Sequence, residues 1–186
     1  KMFLLRAPMG GNKKGTISQN TASTYFSILK AGLKQAFVDE YLTVDIGAKV
    51  KGITNIEKPR VALSMNEVQM LVDTPCKDDV LKRAFLFSIL TGLRHSDIQT
   101  LKWKQIQQTS KGTWQAVIVQ QKTKRPDYKP VIQQALQLCG ERPNDEESLV
   151  FEGLTDASWI SRPLKVWIEA SGIKKHITFH CGRHSF

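Results

Sequence analysis

Thr91-Gly92-Leu93-Arg94-His95-Ser96-Asp97-Ile98-Gln99-Thr100-Leu101-Lys102-Trp103 is the stretch on which the reading of this chain turns. A helical pattern over residues 78–90 runs into it, and Gly92 can take the left-handed backbone that stops a helix. Residues 96–101 then read as a second, short helix. Arg94 stands at its mouth, where a planar guanidinium can meet an oxyanion alongside N-terminal amides. Asp97, three residues on, is close enough to orient that guanidinium. Taken alone, the same residues also describe a surface arginine with a solvated acidic neighbour.

Upstream, Ser64-Met65-Asn66-Glu67 predicts a capping box, with Val68, Met70, Leu71 and Val72 following as helix positions. Residues 52–61 contain Pro59 and no helical period, so they read as a linker, with a second domain starting near Leu63. Before the linker, Ala22, Phe26, Leu29, Leu33, Ala36, Phe37 and Tyr41 recur at helical spacing, predicting an amphipathic helix capped by Asn20 and ending near residue 41. A short helical candidate lies at 46–50. So few elements cannot cover the stripe, and exposed apolar surface is expected there. Residues 1–17 are basic and glycine-rich and read as a loop, solvated or touching phosphate.

Downstream, the β-branched and aromatic segment 114–121 and the extended stretch 129–132 predict a hairpin with a basic tip. Residues 133–139 and 157–170 have helical spacing, the latter closed by Gly172, and 148–151 reads as a short extended piece. Residues 178–186 read as the opening of one more helix. There His180 and Arg183 of His180-Cys181-Gly182-Arg183-His184-Ser185-Phe186 share a face, setting an imidazole for proton transfer beside a second guanidinium. A structural histidine with an exposed arginine fits those residues too, as does a zinc site from His176, His180, Cys181 and His184, although ribbon-type ligand spacing is missing. In Gln120-Gln121-Lys122-Thr123-Lys124, a lysine on a hairpin end can donate a proton to a leaving oxygen, or merely keep a strand end soluble.

Composition narrows the partners. Lys and Arg number 27 against 17 Asp and Glu, a formal net charge of +10 over 186 residues, which suits a polyanion. Nucleic acid leads, ahead of an anionic membrane surface, because no apolar run approaches the ~18 residues a spanning helix needs. Three scattered cysteines, Cys76, Cys139 and Cys181, argue against a disulfide framework and for a reducing cytoplasm.

Together and in this order, the three clusters resemble the tyrosine recombinase (phage integrase) family. Residues 91–103 are similar to its first-arginine box, Lys122 to its hairpin lysine, and His180-x-x-Arg183-His184-Ser185-Phe186 to its His-x-x-Arg box. Asn20-Thr21-Ala22-x-x-Tyr25-Phe26 resembles its core-binding domain, so the likeness runs from about residue 18 onward.

That resemblance implies a mainly α (α+β) fold: a catalytic domain of packed helices with a small β-hairpin sheet at 59–186, preceded by part of a helical core-binding domain with its linker at 1–58. It implies a site-specific recombinase or integrase that breaks and rejoins DNA by transesterification through a 3′-phosphotyrosine. Arg94 and Arg183 would clamp the scissile phosphate, Lys122 would protonate the departing 5′ oxygen, His180 would assist proton transfer and Asp97 would support Arg94. No metal or cofactor is called for. Double-stranded DNA is the implied partner, with a homotetramer on DNA and possible accessory DNA-bending or directionality factors, no membrane, and a cytoplasmic setting of bacterial or phage origin.

The family's nucleophilic tyrosine follows the His-x-x-Arg box. Tyr25, Tyr41 and Tyr128 all precede His180, so the nucleophile is expected beyond this chain, with the catalytic domain C-terminally incomplete. Tyr25 and Tyr41 read as helix-packing residues, Tyr128 as a hairpin residue near DNA, and Trp103, Trp114, Trp159 and Trp167 as core or seam residues. Two rival classes stay open: a non-catalytic DNA-binding protein derived from an integrase, and a metal-dependent nuclease, which would need more clustered carboxylates.

Overall fold

The computed structural model describes residues 4, 16–57, 59–119 and 125–185, and the chain divides into two compact units, Lys1–Pro59 and Arg60–Phe186. In the first, helix α1 (Gln19–Val38) is capped by Ser18, whose hydroxyl accepts the Thr21 N–H. The expected cap, Asn20, is used differently: its amide donates to the Ile56 carbonyl at 2.9 Å and accepts the Ile56 N–H at 2.8 Å. With Ser23 Oγ donating to the Ile53 carbonyl at 2.7 Å, this pins residues 53–56 along α1, so the front half of the stretch read as a linker is packed. Ala22, Phe26 and Ile53 form the small buried cluster.

The helix stops before residue 41, and residues 46–49 form turns rather than a helix. Leu29, Phe37 and Val38 are exposed, the apolar surface expected of so sparse a unit. Tyr25 and Tyr41 are exposed as well, which corrects their reading as packing residues.

The second unit is built around α3. Helix α2 (Met65–Asp73) opens with the reciprocal Ser64–Glu67 capping box, and α3 (Asp79–Thr91) follows, capped by the Asp78 carboxylate on the Leu81 N–H. Leu81, Ala84, Phe85, Leu86, Phe87 and Ile89 are all buried, so α3 is apolar around most of its circumference and sits inside the unit. Its buried hydroxyls are satisfied, Ser88 donating to the Leu93 carbonyl and Thr91 to that of Phe87. Gly92, at φ 67, then turns the chain sharply into the short helix α4 (His95–Gln99).

A 3-10 turn (Trp103–Gln105) leads to a three-stranded antiparallel sheet in the order β1 (Ile106–Gln108), β2 (Trp114–Val119), β3 (Pro126–Val131). Sequence reading gave the β2–β3 hairpin but missed β1, three residues too few to show a period. Helices α5 (Gln133–Cys139), α6 (Ala157–Ala170) and α7 (Phe179–His184) complete the unit. Phe85 of α3 meets Trp167 of α6 and Phe179 of α7 edge to face, with centroids 5.9 and 5.4 Å apart. Trp103 and Trp167 are core residues and Trp114 packs against the core, but Trp159, on the outer face of α6, is 75% exposed and is no part of the core. The fold is mainly α with one small sheet, as read from the sequence.

Candidate functional site

Two short helices and one strand converge on a pocket of about 420 Å³. From the N-cap of α4 comes Arg94, delivered by the Gly92 turn; from α7 come His180, Arg183 and His184; from β3 comes Lys129; and Arg60 enters from the start of the unit. Thr91 and Gly92 complete the lining, and among the described residues no carboxylate lines the pocket. Arg94, His180 and Arg183, proposed from separate parts of the sequence, are thus brought together. Lys122 lies outside the described residues.

Local packing explains why α7 holds its position. Gly182 faces Phe85 so closely that a Cβ there would come within 3.1 Å of the ring, allowing α7 to lie directly on α3. Phe179 inserts between Phe85 and His95, its ring 4.9 Å from the imidazole and nearly perpendicular to it. His95 is held in turn by the Thr155 carbonyl at 3.0 Å. His95 thus joins the helix that starts at Arg94 to the one that carries His180, a part that spacing did not disclose.

Asp97 is engaged mainly elsewhere than foreseen. Its Oδ2 accepts the Arg94 backbone N–H at 3.3 Å, while the guanidinium Nη1 stands 3.9 Å away, a loose pair with the arginine side chain 53% exposed. The carboxylate therefore fixes where Arg94 leaves the backbone more than where its fork points, and leaves that fork open to an anion.

His180 and His184 stack edge to face at 4.5 Å, one turn apart. Partial burial, followed by the charges of His180, Arg60 and Arg183, holds the His184 imidazole below its ordinary range. Cys181 turns instead to Thr178, its sulfur 3.3 Å from the threonine hydroxyl. Among the described residues no three His, Cys, Asp or Glu side chains converge in a way that could hold a metal ion, so His176, His180, Cys181 and His184 do not form the zinc cluster that their spacing left open. A larger cleft of about 740 Å³ shares Arg94 and His180 and is lined by Ile160, Leu164 and Ile177 together with Arg162, Lys165 and His176.

Arg60, Lys129 and His95 are the site residues that sequence reading did not single out, while His184 was read there only as part of the His-x-x-Arg box and as a zinc candidate. The arrangement can bind an oxyanion between guanidinium forks with an imidazole alongside, in a setting where cations predominate. Among the described residues, no helix is long and apolar enough to cross a membrane.

Comparison with known proteins agrees with this architecture. No curated protein sequence matches the chain. Among solved structures, the chain is similar to a lambda integrase dimer bound to a COC′ core site, with TM-score 0.65 and 20% identity over 90% of this chain and 51% of that one. It is similar to a lambda integrase tetramer bound to a Holliday junction, with TM-score 0.66 and 20% identity over 90% and 53%. XerH site-specific recombinase bound to difH substrate in a pre-cleavage complex gives TM-score 0.61 and 16% identity over 91% and 54%. At such identities the likeness shows the fold, that of a tyrosine recombinase catalytic domain, and the chain spans about half the length of these proteins. The family model described as "Phage integrase family" matches residues 62–186, which hold every element from α2 to α7, and the chain therefore belongs to the phage integrase family.

Proposed function

We infer that this chain supplies the catalytic part of a site-specific DNA recombinase that cuts and rejoins strands through a 3′-phosphotyrosine. The observation that carries this reading is the pocket shared by Arg94, His180 and Arg183, cationic and lined by no carboxylate among the described residues. In this reading Arg94 and Arg183 hold the nonbridging oxygens of the scissile phosphate and stabilise the charge that grows in the pentacoordinate transition state. A tyrosine oxygen attacks phosphorus, the bond from phosphorus to the 5′ oxygen breaks, and Lys122 protonates the departing oxygen. His180 assists proton transfer, and Asp97 supports Arg94 through its backbone contact.

The attacking tyrosine is the one that the family resemblance implies after the His-x-x-Arg box. The first unit acts as part of a core-binding domain on double-stranded DNA, and the working assembly is a tetramer on DNA, open to accessory DNA-bending or directionality factors, in the cytoplasm. The lambda integrase tetramer on a Holliday junction, with which this chain shares its fold, supports that assembly.

The test uses the whole protein and a library of nicked random-sequence duplexes, with covalent adducts recovered on a denaturing gel. The expected result is a protease-sensitive adduct on a restricted set of sequences, mapped to a tyrosine after Arg183 and abolished by Arg94→Ala or Arg183→Ala. Binding without an adduct would favour a non-catalytic DNA-binding protein.

A further inference from the structure

Strand β3 carries an anomaly. Its register pairs Trp114 with Val131, Ala116 with Lys129 and Ile118 with Asp127, and paired residues share a face of the sheet. Ala116, Ile118 and Val131 are buried, so this is the core face, while Tyr128, of opposite parity, is 58% exposed. Lys129 and Asp127 therefore stand where the pleat calls for apolar side chains.

Turning a lysine inward costs solvation unless the ammonium finds a partner. Asp127 supplies part of it, with the carboxylate 3.3 Å from Nζ, and the lysine side chain keeps 30% of its exposure. Lys129 also lines the pocket that Arg94, His180 and Arg183 share.

We propose that Lys129 is a substrate-binding residue, a second hairpin lysine that holds a nonbridging oxygen of the phosphate lodged between Arg94 and Arg183. Its role is charge rather than proton donation, which separates it from Lys122. A phosphodiester carries one negative charge and its pentacoordinate transition state about two, so a further fixed cation favours the transition state over the ground state. The inference rests on the reading of Arg94 and Arg183 as phosphate-binding residues.

The experiment titrates the 186-residue chain with inorganic phosphate at constant pH and ionic strength, following the ring-proton NMR signals of His180 and His184. Lys129→Met should weaken binding about tenfold and Lys129→Arg by no more than about threefold, with both melting near the parent. Lys129→Gln carries the same expectation should the methionine variant fail to fold. If Lys129→Met and Lys129→Gln bind like the parent while Arg94→Ala and Arg183→Ala lose phosphate, the inference on Lys129 falls alone. If none of these changes matters, the phosphate reading of the pocket falls with it. An arginine variant as weak as the methionine one, or loss of fold in both neutral variants, would make Lys129 a structural residue and overturn the proposal.

Discussion

The hydroxyl of Ser185 accepts the backbone N–H of Leu63 at 2.8 Å and donates to the Cys181 carbonyl at 2.9 Å. It thereby fastens the last turn of the helix bearing His180 and Arg183 to a residue 122 positions earlier, at the start of the second unit. Leu63 is itself buried, so its N–H has little recourse to water. Ser185→Ala should lower unfolding stability by about 1 kcal/mol, the usual cost of orphaning a partly buried donor. Urea denaturation reads the loss, and Ser185→Thr, which keeps the hydroxyl, should recover most of it.

Gly182→Ala tests how closely α7 lies on α3. Alanine gains about 0.5–1 kcal/mol of helix preference over glycine, but overpacking a core costs about 1–3. The new methyl would stand 3.1 Å from Phe85, a fully buried ring locked against Trp167 and Phe179. The clash wins, so the variant should melt earlier than the parent and bind phosphate more weakly as His180 and Arg183 are displaced. A variant that melts later would show that Phe85 yields.

Acid stability depends on Glu67. Its carboxylate accepts the Lys175 ammonium and the Ser64 N–H, both at 2.7 Å, and these contacts, the lysine bond first, hold it below the usual carboxylate range. A depressed folded-state value contributes stability that is present above the unfolded value of about 4.3 and lost as pH falls through the folded one. Glu67→Gln should therefore be less stable than the parent at pH 7, with the difference shrinking below about pH 4. Parallel melting curves across that range would refute the linkage.

Binding to duplex DNA should weaken steeply with salt, log affinity against log salt falling by about 0.9 for each phosphate neutralised. Arg94→Ala should make that slope shallower by about one contact. An affinity flat between low and moderate salt would remove DNA as the partner.

Much of the fold was legible because local chemistry decides it. The Ser64–Glu67 box, the Asp78–Gly92 frame of α3 and the spacing in α6 are satisfied within a turn or two of chain. Where reading failed, a long-range partner had intervened: Asn20 leaves its capping role for Ile56, residues 53–56 lie along α1 rather than running free, and β1 takes shape only by pairing with β2. Trp159 fits the helical spacing of α6 yet falls on its outer face, since spacing alone does not say which face is covered.

The sequence by itself determined the kinds of chemistry present: a basic chain, an arginine placed after a helix-stopping glycine, and a His-x-x-Arg helix. Those follow from composition and backbone preference, which act residue by residue. Only the tertiary structure decided that Arg94, His180 and Arg183 share one pocket and that Arg60 and Lys129 join them. Phe179 seats α7 between Phe85 and His95, and strand pairing turns Lys129 toward the core face. Which of a strand's two faces is inward is set by what the sheet packs against.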